Sequence, residues 1–103
     1  MIAVIIPAYK VKQNVLQVIT EIGDEVSSIY VVDDACPDFS GKFVEENCTD
    51  DRVKVLYNSK NLGVGGAVKA GFKAAYEAGA EIMVKVDGDG QMNPDLIPSF
   101  VHP

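Results

Sequence analysis

Short apolar runs alternate with amphipathic stretches along most of the chain. Four runs rich in Val and Ile predict β-strands over residues 2–6, 28–32, 53–57 and 81–86. After the first and third runs, apolar residues recur at the i, i+3, i+4 and i+7 positions of an amphipathic helix. Gly23 and Gly79 mark the ends of these two predicted helices, and a less regular pattern predicts a middle helix over 41–47.

The spacing also predicts which residues of the two amphipathic helices face the core. The face of the first predicted helix consists of Val15, Val18, Ile19 and Ile22. The face of the helix before the fourth strand consists of Val64, Val68, Phe72, Ala75 and Tyr76. Because parallel neighbours cannot be joined by hairpins, the alternation predicts an α/β fold with an open, mainly parallel sheet and helices on both faces.

The composition is that of one globular domain. Of the 103 residues, 48% are hydrophobic and 23% are charged, which is close to globular averages. No apolar run approaches the roughly 20 residues that cross a bilayer, and the N-terminus lacks the basic region and cleavage pattern of a signal peptide. We therefore expect a cytoplasmic protein. Cys36 and Cys48 fit no zinc spacing and are interpreted as ordinary thiols.

The charge of the chain narrows the classes of partner. Nine basic and fifteen acidic residues give a formal net charge of −6. This charge opposes binding to nucleic acid and to anionic membrane surfaces. A phosphorylated small molecule remains compatible with an acidic protein if a divalent cation bridges the phosphate to carboxylates.

Polar and special residues follow each predicted strand. In order along the chain they are Pro7, Ala8 and Tyr9, then Asp33 and Asp34, then the loop 58–66, and finally "DGDGQ" at 87–91. The carboxyl ends of parallel strands meet at one edge of the sheet, and ligands gather there at the point where the strand order reverses. The four segments therefore predict a binding site at that edge.

Each of these motifs also has a structural interpretation. Tyr9 is compatible with a core position and with stacking on a planar ligand. Asp33 and Asp34 can cap the following loop, or one can cap while the other accepts a hydrogen bond from a base or ribose. In "DGDG" at 87–90, turns account for the glycines, whereas the paired carboxylates favour a divalent cation. The loop "NLGVGGA" at 61–67 lacks the position and spacing of a dinucleotide fingerprint.

The four motifs together resemble the donor-binding half of the inverting family 2 glycosyltransferases, which have the nucleotide-diphospho-sugar (GT-A) fold. The similar segments are "VIIPAYK", "YVVDDAC", "NLGVGGAVKAGFKAA" and "VKVDGDGQMNPDLI", and they cover nearly the whole chain. The resemblance implies a Rossmann-like sheet with strand order 3-2-1-4. The form of the last two motifs is most similar to transferases that pass a hexose to polyprenyl phosphate, such as dolichol-phosphate mannose synthase relatives.

The resemblance also implies roles for individual residues. Pro7 and Tyr9 would line the base pocket and Asp34 would bind the base. Asp87 would face the ribose, while Asp89, together with Asp87, would hold Mg or Mn on the diphosphate. The full implied donor-binding set is Pro7, Ala8, Tyr9, Asp33, Asp34, Asn61, Gly63, Asp87 and Gly88.

The implied reaction is transfer of a sugar, with inversion, from a UDP- or GDP-sugar to a lipid phosphate or a saccharide. The family's base lies well downstream of the Asp-x-Asp motif, and residues 92–103 offer no candidate with its context. We therefore interpret the chain as a donor half that, alone, binds donor weakly and transfers no sugar. The full-length protein is expected to associate with the cytoplasmic side of a membrane. The chain departs from the family pattern at Lys10, where Asn is usual, and at Ala35-Cys36, where Gly-Ser is common.

Two other classes of function stay open at the level of the sequence. A sugar-1-phosphate nucleotidyltransferase shares the fold type, although its first loop is rich in Gly, Arg and Lys, unlike "PAYKVKQN". A non-catalytic nucleotide-binding or assembly module would keep the pocket without the reaction. In a donor half, an uncovered sheet edge and apolar surface would also favour a homo-oligomer.

Overall fold

The computed structural model describes residues 1–9, 14–35, 39–61 and 63–86. Strands and helices alternate through this part of the chain. The strands are β1 (Ile2–Ala8), β2 (Ser28–Asp33), β3 (Val53–Tyr57) and β4 (Ile82–Lys85). The helices are α1 (Val15–Thr20), α2 (Ser40–Asn47) and α3 (Gly63–Glu77). No helix in the described ranges is long and apolar enough to cross a membrane.

The four strands form one sheet in the order β3-β2-β1-β4. All three pairings are parallel, and their registers include Ile5↔Tyr30, Ile5↔Lys85 and Tyr30↔Lys54. The predicted α/β class and strand order are therefore confirmed. The chain builds outward from β1 to β3 and then returns to the other side of β1, so the strand order reverses between β1 and β4.

Helices cover both faces of the sheet, as the alternation predicted. Side chains alternate across a strand, so β1 sends Val4 and Ile6 into one apolar cluster and Ala3 and Ile5 into the other. The first cluster also contains Val15, Val18 and Ile19 of α1 and Val44 of α2. The second contains Ala67 and Ala75 of α3. The helices α1 and α2 thus share one face, and α3 is the helix that the described residues place on the other.

The buried face of α3 differs from the predicted one. Its innermost residues are small: Ala67 and Ala75 are fully buried, and a Cβ at Gly71 would stand 2.5 Å from Ile5 Cγ2. The prediction placed Tyr76 on this face, and that was wrong, because its side chain is 73% exposed. Tyr76 follows Gly71 by five residues, about 140° around the helix. Small residues let α3 approach the sheet closely, so the larger apolar side chains lie at its flanks.

The ends of two elements also differ from the predicted boundaries. The strand β1 continues through Pro7 to Ala8 because its pairing with β2 extends to Ala8↔Asp33. Its described pairing with β4 ends earlier, at Ile5↔Lys85. Helix α1 ends at Thr20, and the chain continues as a tighter turn in which the Ile22 amide donates to Ile19 O.

The amino-terminal edge of the sheet is held by one arginine. Arg52 Nη1 donates to Gly23 O at 2.7 Å and to Val26 O at 3.0 Å, and Nη2 donates to Ile22 O at 3.2 Å. Its Nε and Nη2 atoms also donate to both carboxylate oxygens of Asp50. The hydrogen bond from Arg52 lowers the pKa of Asp50 below its ordinary value. The hydrogen bonds from Arg52 to the three carbonyls thus join the turn after α1 to the segment before β3, at the edge opposite the predicted binding site.

Candidate functional site

The predicted site residues that the structure describes come together at the carboxyl-terminal edge of the sheet. Ala8 and Asp33 are the last residues of β1 and β2, and their positions are paired. The ladder continues into the loops, since the Asp34 amide donates to Ala8 O at 3.2 Å and the Asn58 amide donates to Asp33 O at 2.9 Å. Three strand ends thus meet around the two aspartates.

The carboxylate of Asp33 holds the start of α2. Its Oδ2 accepts a hydrogen bond of 2.8 Å from the Gly41 amide, and the side chain is buried. A Cβ at Gly41 would lie 2.7 Å from Asp33 Cβ and 3.0 Å from Tyr57 Cε1, so only glycine fits without a shift. The structural interpretation of this residue, a cap on backbone amides, is therefore confirmed for Asp33. Its predicted part in donor binding stays a prediction.

The neighbouring carboxylate, Asp34, is oriented by a side chain that the sequence analysis did not single out. Asn58 Nδ2 donates to Asp34 Oδ1 at 2.9 Å, and Asp34 is only 3% exposed. Asn58 directly follows β3, so its place after a predicted strand was the signal that could have identified it. An ionised carboxylate is a hydrogen-bond acceptor alone. A fixed acceptor at this edge is suited to the N–H group of a planar base.

The loop before α3 combines a local hydrogen bond with open space. Asn61 Oδ1 accepts a hydrogen bond of 2.8 Å from the amide of Gly63, the first residue of α3. Gly63 has a φ of +80°, a conformation that glycine adopts without strain. No described heavy atom lies within 4 Å of a Cβ built at Gly63 or Gly65. Asn61 therefore shapes the start of the helix, and the glycines leave the surface beside it uncrowded.

Two tyrosines flank the aspartates. Tyr9, which follows β1, is 42% exposed, so its ring is partly open to solvent. Tyr57 ends β3, and its hydroxyl donates to Glu45 Oε1 on α2. Partial burial and this hydrogen bond raise the pKa of Tyr57 to about 12. Tyr57 thereby ties α2 to the edge strand, while Tyr9 is compatible with the predicted stacking role.

The fourth motif begins just beyond the described part of β4. The Val86 amide donates to Ile5 O at 2.9 Å, so the chain leaves β4 beside β1, where the strand order reverses. Asp87, Gly88 and Asp89, with the predicted metal site, lie outside the described residues. Within the described ranges, no group of three His, Cys, Asp or Glu side chains could hold a metal ion.

A groove of about 320 Å³ lies away from this edge, between α2 and β3. Its lining consists of Val44, Glu45, Cys48, Asp50, Val53 and Val55. None of these residues belongs to the predicted donor-binding set. The candidate site is therefore defined by the meeting of strand ends, and not by this groove.

Comparison with known proteins agrees with the family that the sequence motifs resemble. The family model described as glycosyl transferase family 2 matches residues 3–103. An undecaprenyl-phosphate mannosyltransferase of Micrococcus luteus is 34% identical over 101 residues, covering 95% of this chain and 42% of the relative. A dolichol-phosphate mannosyltransferase of Pyrococcus furiosus is 33% identical over 105 residues, covering 98% of this chain and 29% of the relative.

A third relative carries a different sugar in its name. It is the UDP-N-acetylglucosamine–dolichyl-phosphate N-acetylglucosaminyltransferase of Methanococcus voltae, 33% identical over 117 residues, with 100% of this chain and 47% of the relative covered. The chain thus spans less than half the length of these three curated relatives. The match to the family model covers nearly every residue and agrees with the sheet order and the motifs at the strand ends. The chain belongs to glycosyl transferase family 2.

Proposed function

We propose that this chain is the donor-binding part of a metal-dependent glycosyltransferase that transfers a sugar with inversion. The observation that carries the proposal is the position of Asp34, a buried carboxylate held by Asn58 at the carboxyl-terminal edge, one strand from the point where the strand order reverses. Open parallel sheets bind nucleotides at that point. The ligand is a nucleoside diphosphate that carries a sugar, with UDP and GDP as the candidate nucleotides.

The described residues have distinct parts in this proposal. Asp34 accepts a hydrogen bond from the base, and the exposed ring of Tyr9 stacks on it. Pro7 and Ala8 form the floor beside them as the last residues of β1. Asn61 and Gly63 shape the open loop at the start of α3.

The negative charge of the diphosphate must be neutralised, and two carboxylates of this chain can bind a divalent cation that does so. Asp87 and Asp89 follow β4 in the sequence and provide the oxygen ligands that Mg²⁺ and Mn²⁺ prefer. A cation held there neutralises the diphosphate and makes it a better leaving group. Gly88 between them keeps a side chain away from the donor.

The acceptor in this proposal is a lipid phosphate. The three relatives compared above are named for undecaprenyl phosphate, dolichol phosphate or dolichyl phosphate. A phosphate oxygen is already ionised and needs less help from a general base than a sugar hydroxyl does.

Membership of the glycosyltransferase family favours glycosyl transfer over nucleotidyl transfer. In this proposal the reaction occurs on the cytoplasmic side of a membrane.

Titration calorimetry of the 103-residue chain with UDP and GDP tests the proposal. We expect one nucleotide to bind more tightly with Mn²⁺ or Mg²⁺ than with a chelator. Asp34→Asn should weaken binding by roughly tenfold or more, because the substitution removes a charged acceptor. Asp51→Asn, an exposed carboxylate at the opposite edge, is the matched control and should bind as the parent chain does.

A second variant protects this test against misfolding of the first. Tyr9→Ala changes a partly exposed ring and should weaken binding by roughly fivefold or more through lost stacking on the base. Circular dichroism checks that both variants fold. Equal affinity of the parent and both variants would contradict the donor site, and equal affinity with and without metal would contradict the cation.

A further inference from the structure

The outward face of α3 carries lysines and an aromatic ring. Lys69 and Lys73 are one helical turn apart and exposed, and Tyr76 is 73% exposed. Among the described residues neither lysine forms an ion pair, although Glu77 lies four positions after Lys73. Phe72 is half-buried between this face and the core cluster beneath the helix. The outward surface of α3 is thus basic and partly aromatic.

The strands add positive charge on the same side of the sheet. Lys54 is paired with Tyr30, whose ring belongs to the α3-side cluster, and its ammonium lies 5.8 Å from the centre of that ring. Lys85 is paired with Ile5 of the same cluster and is half-buried. Lys54 lies level with Ile5 in the sheet, two strands away, so their backbones are about 10 Å apart. Because Gly71 of α3 packs over Ile5, Lys54 lies beside α3. We call Lys54, Lys69, Lys73 and Tyr76 the basic face.

The opposite layer has the reverse charge. The segment from α1 through the turn after it and the helix α2 carry the carboxylates Glu21, Asp24, Glu25, Glu45 and Glu46. The one lysine of α2, Lys42, lies 3.9 Å from Glu46. By contrast, α3 carries a single carboxylate, Glu77, at its last residue. Among the described residues, these lysines and carboxylates thus lie on opposite sides of the sheet, which the net charge of −6 does not reveal.

We propose that the basic face docks this protein on an anionic lipid bilayer. Lysines lay their alkyl stems along a surface and extend their ammonium groups to phosphate headgroups. Tyrosine is favoured at the boundary between headgroups and acyl chains, because its ring is apolar and its hydroxyl is polar. The site on the sheet edge plays no part in this contact, so the inference goes beyond the proposed function.

A planar surface suits this distribution of charge better than a polyanion that surrounds the protein. The acidic layer lies on the far side of the sheet, roughly 20 Å from the basic face if each layer is about 10 Å thick. At physiological ionic strength charges are screened beyond about 8 Å. A bilayer that meets only the basic face is attracted to its lysines and is shielded from the carboxylates. A long nucleic acid also meets the acidic layer.

Co-sedimentation with vesicles measures this docking. We expect the chain to bind vesicles that contain phosphatidylglycerol, to bind phosphatidylcholine vesicles far less, and to dissociate at high salt. The double variant Lys69→Gln/Lys73→Gln should bind the anionic vesicles roughly tenfold or more weakly, because each lysine near such a surface contributes severalfold. Lys42→Glu on α2 makes the same change of two charge units and should leave binding within twofold of the parent chain.

A fluorescent reporter tests which surface makes the contact. The chain contains no tryptophan, so Tyr76→Trp gives a single probe on the basic face. Its emission should shift to the blue on addition of anionic vesicles, whereas Phe39→Trp, at the start of α2, should not shift. The opposite pattern would overturn the proposal.

Two further outcomes decide against the lipid surface. Equal binding of the double variant and the parent chain would overturn the proposal, as would stronger binding to a single-stranded oligonucleotide or an acidic peptide than to the vesicles. Nucleotide calorimetry on the same double variant separates this proposal from the donor site. Unchanged nucleotide affinity with lost vesicle binding supports docking by the basic face.

Discussion

At the residue scale, the two adjacent aspartates have different partners. Asp33 accepts the Gly41 amide and thereby anchors α2, whereas Asp34 accepts the Asn58 side chain and remains at the meeting point of three strands. Burial of a carboxylate is costly unless hydrogen bonds satisfy it. Each aspartate therefore depends on a partner that is distant in sequence. The capping part of the interpretation is thus confirmed for Asp33, and a contact of Asp34 with a ligand stays a prediction.

Tyr57 gives a spectroscopic prediction at this scale. Partial burial and the hydrogen bond to Glu45 raise its pKa from the ordinary value of 10 to about 12, so its phenol should ionise only near the upper end of an alkaline titration. Titration by absorbance at alkaline pH should show one late transition, and Tyr57→Phe should abolish it. The stability contributed by this raised pKa is present below pH 10 and is lost as the pH rises towards 12. Loss of the late transition in Tyr9→Phe instead would show that it belongs to another ring.

At the element scale, α3 is defined by the residues that let it approach the sheet. Gly71 packs over Ile5 and Val32, where an added Cβ would come within 2.5 Å and 3.2 Å of their side chains. A helix positioned by small residues turns its larger apolar groups to the sides. This geometry places Tyr76 and the two lysines of α3 outward, where they form the basic face.

Two glycines of α3 provide a matched prediction. Gly71→Ala should destabilise the chain by about 1–3 kcal/mol, because the new Cβ would meet Ile5 at 2.5 Å in a packed core. Gly65→Ala lies on the same helix with no described atom near its Cβ and should stabilise the chain by about 0.5–1 kcal/mol through helix propensity. Urea denaturation of both variants measures the difference. An equal effect of the two substitutions would contradict the close packing of α3.

At the scale of the whole molecule, the carboxyl-terminal and amino-terminal edges of the sheet carry different features. The carboxyl-terminal edge gathers the candidate donor site, and the amino-terminal edge is held by Arg52 and Asp50. Arg52 joins three carbonyls of the turn after α1 to the start of β3.

The Arg52–Asp50 pair makes stability depend on pH. The pKa of Asp50 is lowered in the folded chain, so its contribution is complete above its ordinary value of 3.8 and is lost as the pH falls through the lowered value. Asp50→Asn should cost about 1–2 kcal/mol at neutral pH. The difference between the variant and the parent chain should shrink in acid, as measured by thermal unfolding at several pH values. A constant difference across that range would show that the ion pair adds no pH-dependent stability.

The sequence pattern by itself determined the class of fold and the edge at which the special residues gather, and the resemblance of its motifs to a known family implied the strand order. The periods of apolar residues report which local segments are buried, and the order of segments limits how parallel strands connect. Tyr9, Asp33, Asp34 and Asn61 could be placed at one edge for this reason.

The tertiary structure decided what depends on distances between remote parts of the chain. Only the packed sheet showed that Asp33 anchors Gly41, that Asn58 orients Asp34, and that Gly71 sets the face of α3. Helical periodicity alone placed Tyr76 inward, because it considers only the hydrophobicity of each residue. The buried face of α3 also depends on how closely the helix can approach the sheet, and small residues allow the closest approach. The total charge likewise carries no information about which charges share a face, so the basic face could be recognised only in the packed structure.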